Sequence, residues 1–217
     1  MRFDSPKHRG PGRESGAFLL ASDRPGSRCT ELSPYSFPRS VVYTVTMSAN
    51  SIAMALPTIF DELVQGSPDP NARTFVLNQG DRGLLESLDR LSAAGASATH
   101  GGGASIAAHV DHLRYGLSLL NRWAEGVSPP WPEMDWTASW RRTVVSESEW
   151  RILREELRHE ATRWAGALGT PRDVSGVEAG WMAGSVAHLA YHLGAIRQID
   201  RATRGPTAED EAGARTK

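Results

Sequence analysis

Seven histidines occur in this chain, and five of them, His109, His112, His159, His188 and His192, fall where the flanking residues have helical periodicity. His188 and His192 are spaced i, i+4, so on a helix their rings share one face, with Cβ atoms about 5–6 Å apart. From that spacing both imidazoles can reach a single divalent ion at about 2.0–2.1 Å. A third donor is available from His109 or His112, which lie beside Leu113 and Leu117 on a stripe that must face the interior of a helical fold. Helical geometry leaves either one open for that role. One histidine on a helix is ordinarily a hydrogen-bonded bystander, and an HxxxH spacing arises easily by chance. Two histidine-bearing faces on two amphipathic segments weigh more, because burying several imidazoles without a partner repeats the desolvation cost. Three neutral imidazoles leave a bound ion its full double positive charge and at least one open position, the pattern of catalytic and not structural zinc. Zinc, nickel, copper and iron all accept such ligands.

The elements that must hold these residues are helical. From Ile52 to Val64 the apolar positions Ile52, Leu56, Ile59, Phe60 and Leu63 recur at three and four, which predicts an amphipathic helix that Pro57 bends or begins. Ser67 to Asn71, with Pro68 and Pro70, is a loop, and after Gly80 the run Leu84, Leu85, Leu88 and Leu91 predicts one helical segment ending near Ala94. Gly101, Gly102 and Gly103 break the chain, and Ser105 is placed to cap a long helix. That helix carries Ile106, Val110, Leu113, Leu117 and Leu120 on one stripe and runs to about Glu125. Residues 126–140 contain Pro129, Pro130 and Pro132 with Trp131, Trp136 and Trp140, a long crossing loop whose aromatics are expected over one end of the bundle. Ser146 and Glu149 have the capping-box spacing, and Trp150, Leu153, Leu157, Ala161, Trp164 and Leu168 follow at helical period. Residues 169–177 connect to a last helix from about Ala179 to Thr203, apolar at Val186, Leu189, Leu193, Ile196 and Ile199 and stopped by Gly205 and Pro206. With no alternating strand pattern, fixed-period repeat or glycine-rich phosphate loop, the expected fold is an all-α bundle of four or five helices. Residues 1–46, rich in Pro, Gly, Ser and Arg without sustained periodicity, read as a disordered arm. Residues 47–206 are then the helical domain and 207–217 a frayed polar tail, and Met47, followed by Ser48, is a candidate translation start.

Composition narrows the partners. A formal net charge of -1 and a pI near 6.7 over 217 residues provide no basic field, which argues against nucleic acid. No apolar run approaches the roughly 20 residues of a membrane-spanning helix, and the patch from Ala17 to Ala21 is too short for a signal-peptide core. Cys29, alone and in the arm, makes neither an internal disulfide nor a plausible nucleophile, so the chain reads as soluble and cytoplasmic. His159, among Glu155, Glu156 and Glu160, is expected in solvent, and His8 and His100 in loops. The tryptophans are expected to fill the core or cover bundle ends and not to stack a cofactor. Tyr115 and Tyr191 neighbour the histidines and are expected to pack with hydroxyls at the rim. No serine, histidine and acid constellation can be assembled, which argues against covalent catalysis.

Two strings carry a family resemblance: SIAAHVDHL from Ser105 to Leu113 and, more strongly, HLAYHLGAIRQI from His188 to Ile199. They resemble the signature regions of the DinB/YfiT-like metalloenzyme superfamily, over roughly Ile52 to Arg204. The resemblance implies a four-helix bundle with an unusual connection order and long crossing loops. It also implies one histidine on the second helix and an HxxxH pair on the last that together bind zinc, nickel or a similar divalent ion. Matched motif to motif, the ligands are His112, His188 and His192; His109 is an extra histidine one turn earlier that replaces or supports His112. Members resembling this chain imply a homodimer and a metal-dependent thiol S-transferase using a low-molecular-weight thiol of the mycothiol or bacillithiol type. The rival readings are a metal-dependent hydrolase with a nearby carboxylate or tyrosine as base, rated lower because the obvious carboxylate, Asp111, points about 100° away from His112 on the helix, and a non-enzymatic bundle that dimerises with a metal as staple or with none.

Overall fold

Apolar residues three and four apart organise the described chain into six α-helices, four of them started by a serine cap, with no strand among the described residues. The computed structural model describes residues 49–67, 69, 73–99, 101–127 and 134–206. The expected arm 1–46 with His8 and Cys29, the candidate start at Met47 and Ser48, His100, Trp131 with its three prolines, and the tail 207–217 lie outside them.

Helix α1 (Ala49–Gln65) keeps Pro57 in its interior and buries Phe60, Leu63 and Val64. Its buried Glu62 accepts the backbone N–H groups of Phe75, Val76 and Leu77 at 2.8, 2.8 and 2.6 Å, which ties the following loop down and drives Leu77 into the core. The expected single helix over Leu84 to Ala94 is instead two: α2 (Gly83–Asp89) and α3 (Ala93–Ser97). The division falls where the Ser92 side chain accepts the Gly95 N–H at 3.2 Å and so starts a new helix. Gly66 and Gly83, both at positive φ, let the α1 and α2 ends touch backbone to backbone; a Cβ on either would collide with the other segment.

Helix α4 (Ile106–Ala124) begins as expected at Ser105, whose hydroxyl accepts from the Ala108 N–H and donates to the Thr143 carbonyl. Helix α5 (Glu147–Gly169) opens on the Ser146–Glu149 capping box, and all six residues of its expected stripe are buried. Helix α6 (Gly176–Ile199) starts three residues earlier than the apolar pattern implied, because Ser175 and Glu178 form a second capping box; a 3₁₀ turn, Arg201–Thr203, follows it.

The long helices pack α1 on α5 and α6, and α4 on α5 and α6. They therefore stand in the ring order α1–α5–α4–α6, with α1 opposite α4 and α5 opposite α6. Trp150 and Trp164 fill the middle, both fully buried. The Trp164 indole reaches across the ring to donate to Ser185 Oγ of α6 at 2.8 Å, while Trp150 donates to the Leu91 carbonyl at 2.9 Å. No helix among the described residues is long and apolar enough to cross a membrane.

Candidate metal centre

The packing of α4 beside α6 is what brings three imidazoles together. One ligand nitrogen from each of His112, His188 and His192 lies within 4.8 Å of the others. Ring centroids are 4.4 Å apart for His188 and His192, and 5.1 Å from His112 to each. His112 and His192 are buried and His188 is half-buried. Three histidines this close could bind a metal ion, with the HxxxH pair on α6 and the third donor across the groove on α4.

For His112, the hydrogen bonds decide which nitrogen is free. The one proton of the Ser139 hydroxyl goes to the Trp136 carbonyl at 2.7 Å. Ser139 Oγ can therefore only accept in its 2.8 Å contact with His112 Nδ1, so His112 carries its proton on Nδ1 and its lone pair on Nε2. His192 Nδ1 lies 2.8 Å from His109 Nδ1, so one ring donates and the other accepts. When His192 is the donor, its Nε2 holds the lone pair. His109 is thus the hydrogen-bonding neighbour of His192 and stands outside the group of three.

Burial favours the neutral rings throughout. It is the first cause, ahead of the charges of His188 and His109, of a His112 pKa near 4, against a smaller upward pull from Asp111. Burial followed by His188, His109 and His112 takes His192 to about 3. Burial also lowers His109 and His188. At neutral pH the three donors keep their lone pairs, the state a metal ion requires.

A loop outside the helices closes over this cluster. Trp140, in the 3₁₀ turn Ala138–Trp140, stacks on His112 at 4.3 Å and meets His109 edge-on at 5.2 Å; Trp136 leans on His112 at 5.4 Å. Two of the crossing-loop tryptophans, Trp136 and Trp140, therefore wall the histidines. Ser139, Trp136 and Trp140 follow His112 by 24 to 28 positions, with no periodic relation to it. The one available signal was the density of aromatics in WTASW, from Trp136 to Trp140. Tyr191 departs from expectation: it is 71% exposed, with its ring edge-on to His192 at 5.2 Å. Tyr115 is half-buried, and its hydroxyl accepts the Asp135 N–H at 3.1 Å. His159 is exposed, as expected.

Asp111 is buried and bound to Arg114 at 2.8 Å and Arg142 at 3.4 Å. With both carboxylate oxygens held by guanidinium groups, it makes a poor general base. Comparison with protein-family models, curated proteins and solved structures finds no match.

Proposed function

We propose that this chain is a divalent-metal protein of the DinB-like kind, a four-helix bundle in which His112, His188 and His192 hold one zinc or nickel ion. The observation that carries the reading is the convergence of three neutral imidazoles from two helices within 4.8 Å. The ring order α1–α5–α4–α6 supports it too, since the chain then crosses a diagonal between α1 and α4 and again between α5 and α6, in keeping with an unusual connection order.

The residues fit an ion by their own chemistry. Ser139 fixes His112 with its lone pair on Nε2, His109 is placed to do the same for His192, and the indoles of Trp136 and Trp140 keep bulk water off one side. A divalent ion bound by three neutral ligands supplies Lewis acidity at its open position, where it lowers the pKa of a thiol or of water. We read the reaction as thiol S-transfer. The thiol loses its S–H proton to solvent, its sulfur forms a bond to an electrophilic carbon, and the leaving group departs from that carbon with the bonding electron pair. Asp111, clamped by two arginines, is unsuited to serve as base for the hydrolytic alternative.

Elemental analysis of the purified protein beside His188→Ala tests the centre: about one equivalent of metal in the first and loss of it in the second are expected. Turnover of an activated electrophile is then measured with and without a small thiol and with and without chelator. Thiol-dependent turnover lost on chelation supports the proposal, and turnover without thiol points to hydrolysis. Equal metal content in the two proteins would overturn the centre itself.

A further inference from the structure

Beside the histidine cluster the groove between α4 and α6 opens into a cavity of about 340 Å³, with His188 in its wall. Leu113, Leu117 and Leu120 line it from α4, Leu189 from α6, and Trp136 from the loop. No Asp, Glu, Lys or Arg lines it among the described residues. The space exists because α6 presents Gly180 and Gly184 to it, where a Cβ would meet nothing within 4 Å. Its volume lies at the lower end of the range for small-molecule sites.

The polar groups in the wall narrow the occupant. Ser185 faces the cavity, but its single proton goes to the Met182 carbonyl at 2.7 Å and its oxygen already accepts from Trp164. It has no hydrogen to offer a ligand. The rest of the wall is mainly leucine, glycine and tryptophan, so an alkyl or aryl group gains by leaving water here, whereas an ionic group finds no carboxylate, ammonium or guanidinium partner among the described lining residues. His188 belongs to both the cavity and the cluster, so a molecule lying in the groove ends where a metal ion would sit.

We infer that this cavity binds an uncharged alkyl or aryl arm of the electrophile, with the reacting carbon held toward His188. The inference rests on the proposed metal centre for its chemistry and on the cavity alone for its binding. A sugar- or amino-acid-based thiol is polar and gains nothing from these walls, so the arm belongs to the other substrate. The site selects for apolar character at one end of the molecule, and the polar thiol would bind outside these walls, nearer the three histidines.

The test uses the full chain and N-phenyl-1-naphthylamine, an uncharged apolar fluorophore, titrated by emission enhancement in protein treated with chelator and in protein given zinc. Saturable binding is expected in both. Gly184→Leu and Gly180→Leu fill the cavity from a helix that gains propensity by the change, and each is expected to weaken the fluorophore at least tenfold with the thermal midpoint retained. Gly180 is two turns from His188, so Gly180→Leu is also expected to retain one equivalent of zinc. Unchanged fluorophore affinity in both folded variants would overturn the inference, even with zinc bound. Loss of fluorophore binding in Gly180→Leu, in a chain that never takes up zinc, would uphold the cavity while the metal centre fails.

Discussion

Ser139 decides the tautomer of His112, and its effect can be measured apart from the fold. Its hydroxyl is fixed by the Trp136 carbonyl and can only accept from His112 Nδ1. In Ser139→Ala the ring loses that acceptor and is free to carry its proton on Nε2, the nitrogen that would coordinate a metal ion under the proposal. Partners of this kind are worth about 10–100-fold in metal affinity. Competition against a chromophoric zinc chelator should show a loss in that range, with the far-ultraviolet circular dichroism unchanged; undiminished affinity would remove Ser139 from the site. Protons provide a second test at this scale. His112 and His192 titrate near 4 and 3 in the folded protein, below the ordinary 6.5, chiefly through burial. As pH falls from about 6.5 toward 4 the unfolded chain takes up protons that the folded chain refuses, so the metal-free protein loses stability across that window and is insensitive to these groups above it. Urea midpoints of the metal-free protein at pH 7.5, 6 and 5 should decline more steeply than those of His192→Phe. Parallel declines in the two proteins would assign the acid sensitivity to other groups.

At the scale of elements, α6 has the most to explain, since it carries two of the three histidines. Its apolar stripe from Val186 to Ile196 is buried, and the i, i+4 spacing by itself puts His188 and His192 on one face. Its beginning was harder to read, because Gly176 and Gly180 dilute the helical pattern, yet Ser175 and Glu178 repeat the spacing of Ser146 and Glu149. The break between α2 and α3 was masked by the opposite effect, a leucine run that continues through the division while Ser92 caps a new helix beneath it. Periodicity thus fixes which face is buried, and caps fix where a helix starts. The wall of the site escaped both rules. Trp136, Ser139 and Trp140 sit in a loop, where no repeat relates a residue to the helix it covers; helical spacing leaves His112 and His109 equivalent, the motif match selects His112, and the contact of His109 with His192 is a tertiary feature that spacing does not encode. The cap itself is testable. Ser175→Ala should cost about 1 kcal/mol, read as a lower urea midpoint, without changing zinc stoichiometry, because His188 lies more than three turns further along the helix. Loss of zinc in this variant would mean that the start of α6 sets the position of its histidines.

Taken whole, the molecule places its candidate centre on a seam where two long helices meet with little charge between them. Helices α4 and α6 are bridged near their far ends by the Trp123 indole, which donates to Glu178 at 3.3 Å. At the histidine end, His109 and His192 bond directly across the seam. Asp81 and Arg197, paired at 2.7 Å, tie α6 to the segment that precedes α2 instead. A metal ion bound by His112 on one helix and by His188 and His192 on the other would cross-link the seam in the folded state alone, so its binding energy becomes folding energy. With zinc at a hundred times its dissociation constant that linkage amounts to about 2.7 kcal/mol, and a domain of this size gains roughly 2–4 °C for each kcal/mol. Addition of zinc to chelator-treated protein should therefore raise the thermal midpoint by roughly 5–11 °C, from the same two principles. In His192→Ala the rise should vanish, because the two histidines left sit on different helices and must hold the ion alone. A midpoint that zinc leaves unmoved in the unmodified protein would mean that the three imidazoles converge without holding an ion, their proximity serving the packing of α4 against α6.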